Sequence, residues 1–334
     1  GEFANESEYA ADYAKYFKTD WLNDAILAQD GILRYKINYT SDLLLNADNE
    51  ALCPVCRQVV KWTALDDDSQ THTLTEGGHF YLTKDLTFTG EGTFLTTGAV
   101  GTVACLHLNG NNITTTNSYA IFISSGSLNM MGSGTVMGKT ANTARGTAIY
   151  SNNKNGTNKV GLYSGTYTKY ESSTSVPVVT IGGSGGNITI YEDAVINAPS
   201  TGMAINVGNA TYNNSTLRVL GATVKGDITI PGAAGDFTST VTSVNGTITG
   251  DVKVNGTADV TFSGRTKIGK LLPKAGYTVN FENLLSGSAV KVSADGVFSG
   301  YMAQADDWLQ YFSTSDSGDW LIVRDKTFYQ GVKS

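Results

Sequence analysis

Three cysteines and two histidines in the first third of the chain are residues of the types that hold a metal ion. Cys53 and Cys56 flank two residues, a spacing at which one tight turn presents two thiolates to the same cation; Cys53-x-x-Cys56 is half of a typical zinc site. Cys105 and His107 stand two apart, so in a strand their side chains leave the same face. Cys53, Cys56, His79, Cys105 and His107 thus offer five donors for a four-ligand site. The expected role is a structural zinc that staples the chain's entry onto whatever follows. The competing reading makes Cys105 a core residue and leaves the other two reduced or disulfide-bonded, and an extracellular setting favours a disulfide such as Cys53–Cys105. His72 lies in a polar Ser-Gln-Thr-His-Thr run and reads as exposed loop.

Acid–base chemistry has weaker support. Asp66-Asp67-Asp68 is the one acidic run, and three consecutive carboxylates in a loop are more often a solvated turn or a helix cap than a catalytic pair. Glu192-Asp193 occupies a corner position taken by glycine elsewhere. Arg265 and Lys267 lack acidic partners at matching positions of neighbouring repeats. No phosphate loop, nucleotide fingerprint or serine nucleophile elbow is present.

The elements that must position these residues are short strands. From about residue 100 the chain repeats an alternating strand, a Gly-type corner and a second strand, as in Gly161-Leu162-Tyr163-Ser164-Gly165-Thr166-Tyr167 and Leu217-Arg218-Val219-Leu220-Gly221-Ala222-Thr223-Val224. The corners Gly165, Asp193, Gly221 and Gly246 recur at a nearly constant interval. An interval of roughly 25–30 residues signals a solenoid, because one unit cannot bury its own apolar face. Period-two alternation with β-branched residues points to strands rather than helices. The expected fold is all-β: a right-handed parallel β-helix (β-solenoid), with a β-sandwich ranked second. Leu128, Met130, Leu162, Ile188, Ile190, Leu217, Val219, Val260 and Phe262 are expected to point inward. On that assignment Met131, Tyr163, Tyr191 and Leu220 fall at equivalent outward positions, one turn apart. Such a column either binds a glycan or a partner protein, or turns in at the corner and packs as core. His79 precedes His107 by one such interval and is expected beside it on the neighbouring turn.

The ends resemble each other. Ala11-Asp12-Tyr13-Ala14-Lys15-Tyr16-Phe17 and Ala305-Asp306-Asp307-Trp308-Leu309-Gln310-Tyr311-Phe312 both read as short helices, followed by a polar turn and an alternating segment. The expected division is a helix/hairpin cap over 1–50 (or the tail of a preceding module), a parallel β-helix over 51–298 and a second helix/hairpin cap over 299–334. Caps answer the need to cover open strand edges.

A family resemblance joins these readings. Cys53-Pro54-Val55-Cys56, Lys61-Trp62-Thr63-Ala64-Leu65, Gly77-Gly78-His79-Phe80-Tyr81-Leu82 and Ala104-Cys105-Leu106-His107-Leu108-Asn109-Gly110 resemble modules of very large surface proteins of gut-dwelling bacteria with the pectin-lyase-like β-helix fold. The likeness is best over 50–140. It implies fold and a secreted or cell-surface setting more strongly than activity, since fold alone does not give function.

Composition narrows the function. Charged residues are 16% of the chain and the net charge is −7, with no basic stripe to neutralise phosphates, which excludes nucleic acid as a partner. No apolar run approaches the ~20 residues of a membrane span, so membrane insertion is not expected. The expected role is a non-catalytic surface module that binds a glycan or a host surface protein, or spaces neighbouring modules of the same chain. Structural zinc is the one cofactor considered. The alternative is a polysaccharide lyase or glycoside hydrolase; the Asn-x-Asp, Asp-Asp, Gly-His-Gly and Arg-x-Lys set of the pectin hydrolases is not found.

Overall fold

The computed structural model describes residues 2–3, 25–29, 32–116, 119–138, 146–153, 158–170, 176–183, 185–199, 202–208, 214–232, 238–273, 279–292, 298–299, 309–314, 320–324 and 327–331. Its body is one set of parallel strands wound into a β-helix with three faces.

Each face is a stack of strands in parallel register. The first runs 63–65, 78–82, 103–107, 127–131, then the first half of 159–169 and of 187–197, then 216–220, 239–244, 258–264 and 279–284. The second begins 86–88, 113–115 and 135–138, and the third 72–74, 93–97, 119–123 and 149–153. Ten strands on the first face, at roughly 4.8 Å each, make a rod about 43 Å long.

The sequence builds these strands through period-two burial. In Asn187–Asn197 the side chains of Ile188 and Ile190 are buried, as are Ala194 and Ile196, and the alternation breaks only at the Tyr191-Glu192-Asp193 corner. Register partners are alike in kind: Leu106 faces Met130, Met130 faces Leu162, Leu162 faces Ile190 and Ile190 faces Val219. Stacked inward ladders of this sort form one continuous apolar core. All nine residues expected to point inward are buried in it.

The coil is not of constant length. It is longest where Met130 is followed by its partner Leu162, shortest at the start, where Thr63 is followed by Phe80, and short again at the end of the rod, where Ser243, Phe262 and Phe281 are successive partners. The shortening has a local cause: strand 247–254 pairs with both 223–225 and 227–230, so a corner has flattened into one bulged strand. At the Asn245-Gly246 corner it is Asn245, not Gly246, that takes the left-handed backbone (φ 55), and its Oδ1 accepts the Arg265 N–H of the next coil at 2.8 Å.

Small antiparallel sheets flank the rod. Residues 25–29 and 32–36 form a hairpin joined by 2–3, and 320–324 with 327–331 form another joined by 298–299. The expected N-terminal helix, 11–17, lies outside the described residues. Of its C-terminal counterpart the described part is a 3-10 turn over 309–311, leading into strand 312–314, which adds to the last coil.

Candidate metal centre

The site is built where an arm crosses the outward side of the first face. Residues 50–53 and 58–61 pair antiparallel, with Cys53 opposite Gln58, so Pro54, Val55, Cys56 and Arg57 are the turn between them. Arg57 closes it in the left-handed region (φ 59) and donates its N–H to the Cys53 carbonyl at 2.8 Å. The Cys56 N–H is aimed at the Cys53 sulfur. This geometry sets two thiols side by side and leaves Cys56 exposed and Cys53 buried.

Trp62 anchors the hairpin. It is among the largest fully buried side chains and donates its indole N–H to the Ala51 carbonyl at 3.2 Å. Its ring meets His79 and His107 edge-on, with centroids 5.2 and 5.9 Å away. Around it lies a second apolar cluster of Ala51, Cys53, Cys105 and Met131, flanked by Tyr39, Leu43, Leu45 and Val60. The arm is tied across several coils: the Tyr39 carbonyl accepts Gly132 N–H and Ser164 Oγ–H, both at 2.7 Å, and Asn109 Oδ1 accepts Leu43 N–H at 2.9 Å.

Beside this cover three of the five candidate donors converge, and a fourth, Cys105, touches one of them. The sulfurs of Cys53 and Cys56 and a ring nitrogen of His79 all lie within 4.8 Å of one another, and Cys56 Sγ is 3.5 Å from His79 Nε2. Cys105 is the register partner of His79 on the next coil and its thiol meets that of Cys53. All three cysteines are free thiols. In a tetrahedral zinc site with Zn–S near 2.3 Å, ligand sulfurs sit about 3.8 Å apart, so closing Cys53, Cys56 and His79 around a cation asks for movements on the order of 1 Å.

The electrostatics are those of groups sharing protons. The hydrogen bond that the Cys53 thiol donates to Cys105, followed by burial, pushes Cys53 up to about 12, while accepting it draws Cys105 down. His79 is raised, first by its hydrogen bond to Cys53 and then by Cys56, against an opposing effect of burial. One proton leaves the thiol pair readily and the second with difficulty, because burial and the first thiolate both oppose a second negative charge. A divalent metal would offset that charge.

His107 stands apart from the cluster and does not stack beside His79 as the repeat interval suggested. Its register partners are Tyr81 and Met131, so the coil closes from Tyr81 to His107, and His79 aligns with Cys105 instead. The His107 Nδ1 accepts the Asn109 N–H at 3.0 Å, and its Nε2 is buried without a hydrogen bond of good geometry. Burial brings its pKa down to about 4, against an opposing effect of the Ser41 backbone. It forms part of the wall of a pocket of about 230 Å³ between residues 38–44 and the hairpin.

No family model, curated protein or solved structure matches this chain.

The outward column is in register from Tyr191 onward, with Tyr191 opposite Leu220 and Leu220 opposite Val244, while Tyr163 falls at a register shift. Its members have different surroundings. Met131 is fully buried beneath the arm and offers no surface. Tyr163 is sandwiched between Tyr39 and Tyr191, with centroids 4.8 and 4.3 Å away. Tyr191 and Leu220 are half-buried beyond the reach of the arm. The arm is the feature that sequence reasoning missed; the apolar run Leu43-Leu44-Leu45 between polar neighbours was its one signal. His72, expected in an exposed loop, begins strand 72–74, half-buried, with its ring against Phe94. Asp67 accepts from Ser69 and Gln70 in a local turn, and the Ser69 hydrogen bonds lower its pKa.

Proposed function

We propose that this chain is a non-catalytic β-solenoid module of a bacterial surface protein, of the pectin-lyase-like kind, whose entry is stapled by a structural zinc held by Cys53, Cys56, His79 and Cys105. The observation that carries this reading is the convergence of the Cys53 and Cys56 thiols on His79, with the Cys105 thiol of the adjacent coil against Cys53. Four protein ligands leave no open position for substrate, which is the pattern of structural rather than catalytic zinc. In this role the module spaces its neighbours or presents the half-buried Tyr191–Leu220–Val244 strip to a glycan or a protein.

A second reading, an acid-polysaccharide lyase or hydrolase, draws on one observation. Asp227 and Asp251 lie at matching positions of adjacent coils, with Asp251 N–H donating to Asp227 Oδ1 at 2.9 Å. Against it, Lys253 Nζ sits 2.6 Å from Asp227 Oδ2 and 3.8 Å from Asp251 Oδ2, so one cation offsets one of the two charges on a partly solvated surface. Glycosidases need their two carboxyls roughly 5–9 Å apart and free to trade a proton.

Metal content and turnover test the two readings together. Protein from zinc-supplemented cells is expected to carry one zinc, to lose it in C56S with a fall in melting temperature, and to release no product from acidic polysaccharides. Metal-free protein whose melting point ignores added zinc overturns the staple. Turnover that D227N abolishes overturns the non-catalytic role.

A further inference from the structure

The two small antiparallel sheets are the same unit, and one constant offset in sequence relates them. Ala25 pairs with Lys36 and Gln29 with Ile32; at the other end of the chain Trp320 pairs with Gly331 and Arg324 with Thr327. A third strand joins each sheet at the same place: Phe3 opposite Leu33, and at the same offset Phe298 opposite Phe328. The sequences align over this whole length without a gap, matching Phe3 with Phe298, Asp12 with Asp307, Tyr16-Phe17 with Tyr311-Phe312, Thr19 with Thr314, Asp24 with Asp319 and Asp30 with Asp325. A coincidental likeness between two hairpins would not hold strand register, edge strand and identities at a single offset.

In the C-terminal copy the purpose of the unit is visible. Phe312–Thr314 pairs parallel with 290–292, extending the last coil by one strand. Phe312 is buried and meets Phe281 edge-on at 5.0 Å, closing the apolar core where it would otherwise open to water. Covering that end removes a strand edge that is a template for aggregation. Among the described residues the N-terminal copy has no such place in this rod. Its strands pair with one another, and the first coils are already covered by the arm and hairpin of residues 37–62.

We propose that residues 1–36 are the closing unit of another copy of this solenoid, so that the repeat carries Phe3 onto Phe298 and runs here from 37 to 331. The surface that receives residues 1–36 is then the terminal coil of a second copy, at the strand equivalent to 290–292, and Phe17 is the sequence counterpart of Phe312. The inference holds whether or not the solenoid carries zinc, and neither its success nor its failure depends on the metal.

Three measurements on the full chain decide it. F312A is expected to lower the melting temperature of the solenoid by about 5–10 °C, and F17A to leave it unchanged. Replacing residues 296–331 by a second copy of residues 1–36 is expected to keep the melting point well above that of F312A. Since F312A alone could fail to fold, hydrogen exchange of the wild-type chain provides an independent measure. Amides of 25–36 are expected to exchange independently of the core strands 103–107 and 127–131, and those of 290–292 and 312–314 together with the last coils. A chimera no more stable than F312A, an F17A variant as damaged as F312A, or protection of 25–36 equal to that of the core would each overturn the proposal.

Discussion

Cys105 is the register partner of His79 on the preceding coil, which sets a thiol and an imidazole one strand spacing apart on the outward side of a single sheet. The solenoid thus supplies half of the candidate site through its own ladder, and the Cys53–Cys56 turn supplies the other half from above. With two donors on rigid strands and two on a short hairpin, a metal held as proposed would fix the arm to the rod.

The ligand set is expected to be selective among the five donors. C53S, C105S and H79A should each weaken zinc binding by 100-fold or more, since each removes a coordinate bond. H107A should keep one zinc per chain, because the His107 ring is held by Asn109 and Trp62 rather than aimed at the cluster. Competition with a chromogenic chelator reads both, and zinc loss in H107A would place that residue among the ligands.

Trp62 joins the arm to the rod. W62A should cost about 3–5 kcal/mol in urea denaturation, the usual range for deleting a buried large aromatic, and W62F distinctly less. The variant should also bind zinc more weakly, because His79 loses the ring edge that orients it. A W62A protein as stable as wild type would show that the arm contributes little.

Gly132 is required by both its backbone and its neighbour. Its φ is +89, and a β-carbon there would come within 2.7 Å of the His107 ring and 2.8 Å of the Asn109 nitrogen. G132A should therefore cost about 2–4 kcal/mol. Shrinking the ring in G132A/H107A should recover part of that loss but not the backbone strain, a coupling that a double-mutant cycle measures.

Lys169 gives the fold a signature at alkaline pH. Its side chain is buried, with Nζ donating to the Val176 carbonyl, and burial lowers its pKa from 10.5 to about 8. Below pH 8 both folded and unfolded chains hold the proton, and the burial penalty applies in full. Between pH 8 and 10.5 the folded chain releases it first, so stability should rise across that window, by about 1–3 kcal/mol. K169M should lose this rise in urea melts taken at pH 7 to 10; an unchanged slope would show that another group titrates.

The alternation of apolar and polar residues, a local property, determined which side chains face the core and that the coils stack as parallel strands. It also placed Cys53 and Cys56 in one turn, since so short a separation leaves no other geometry for a hairpin. What it could not supply was the length of each coil. The period varies along the rod with the loops and flattened corners between strands, and those lengths depend on how each corner packs on the coil below. For that reason the even spacing of the later corners suggested His79 beside His107, whereas the shorter coil at this point sets it beside Cys105. Only the tertiary structure decided that residues 37–62 cover the outward face, burying Met131 and gathering the thiols of Cys53 and Cys105. Nothing in a strand's own sequence says whether its outward side meets water or another part of the chain.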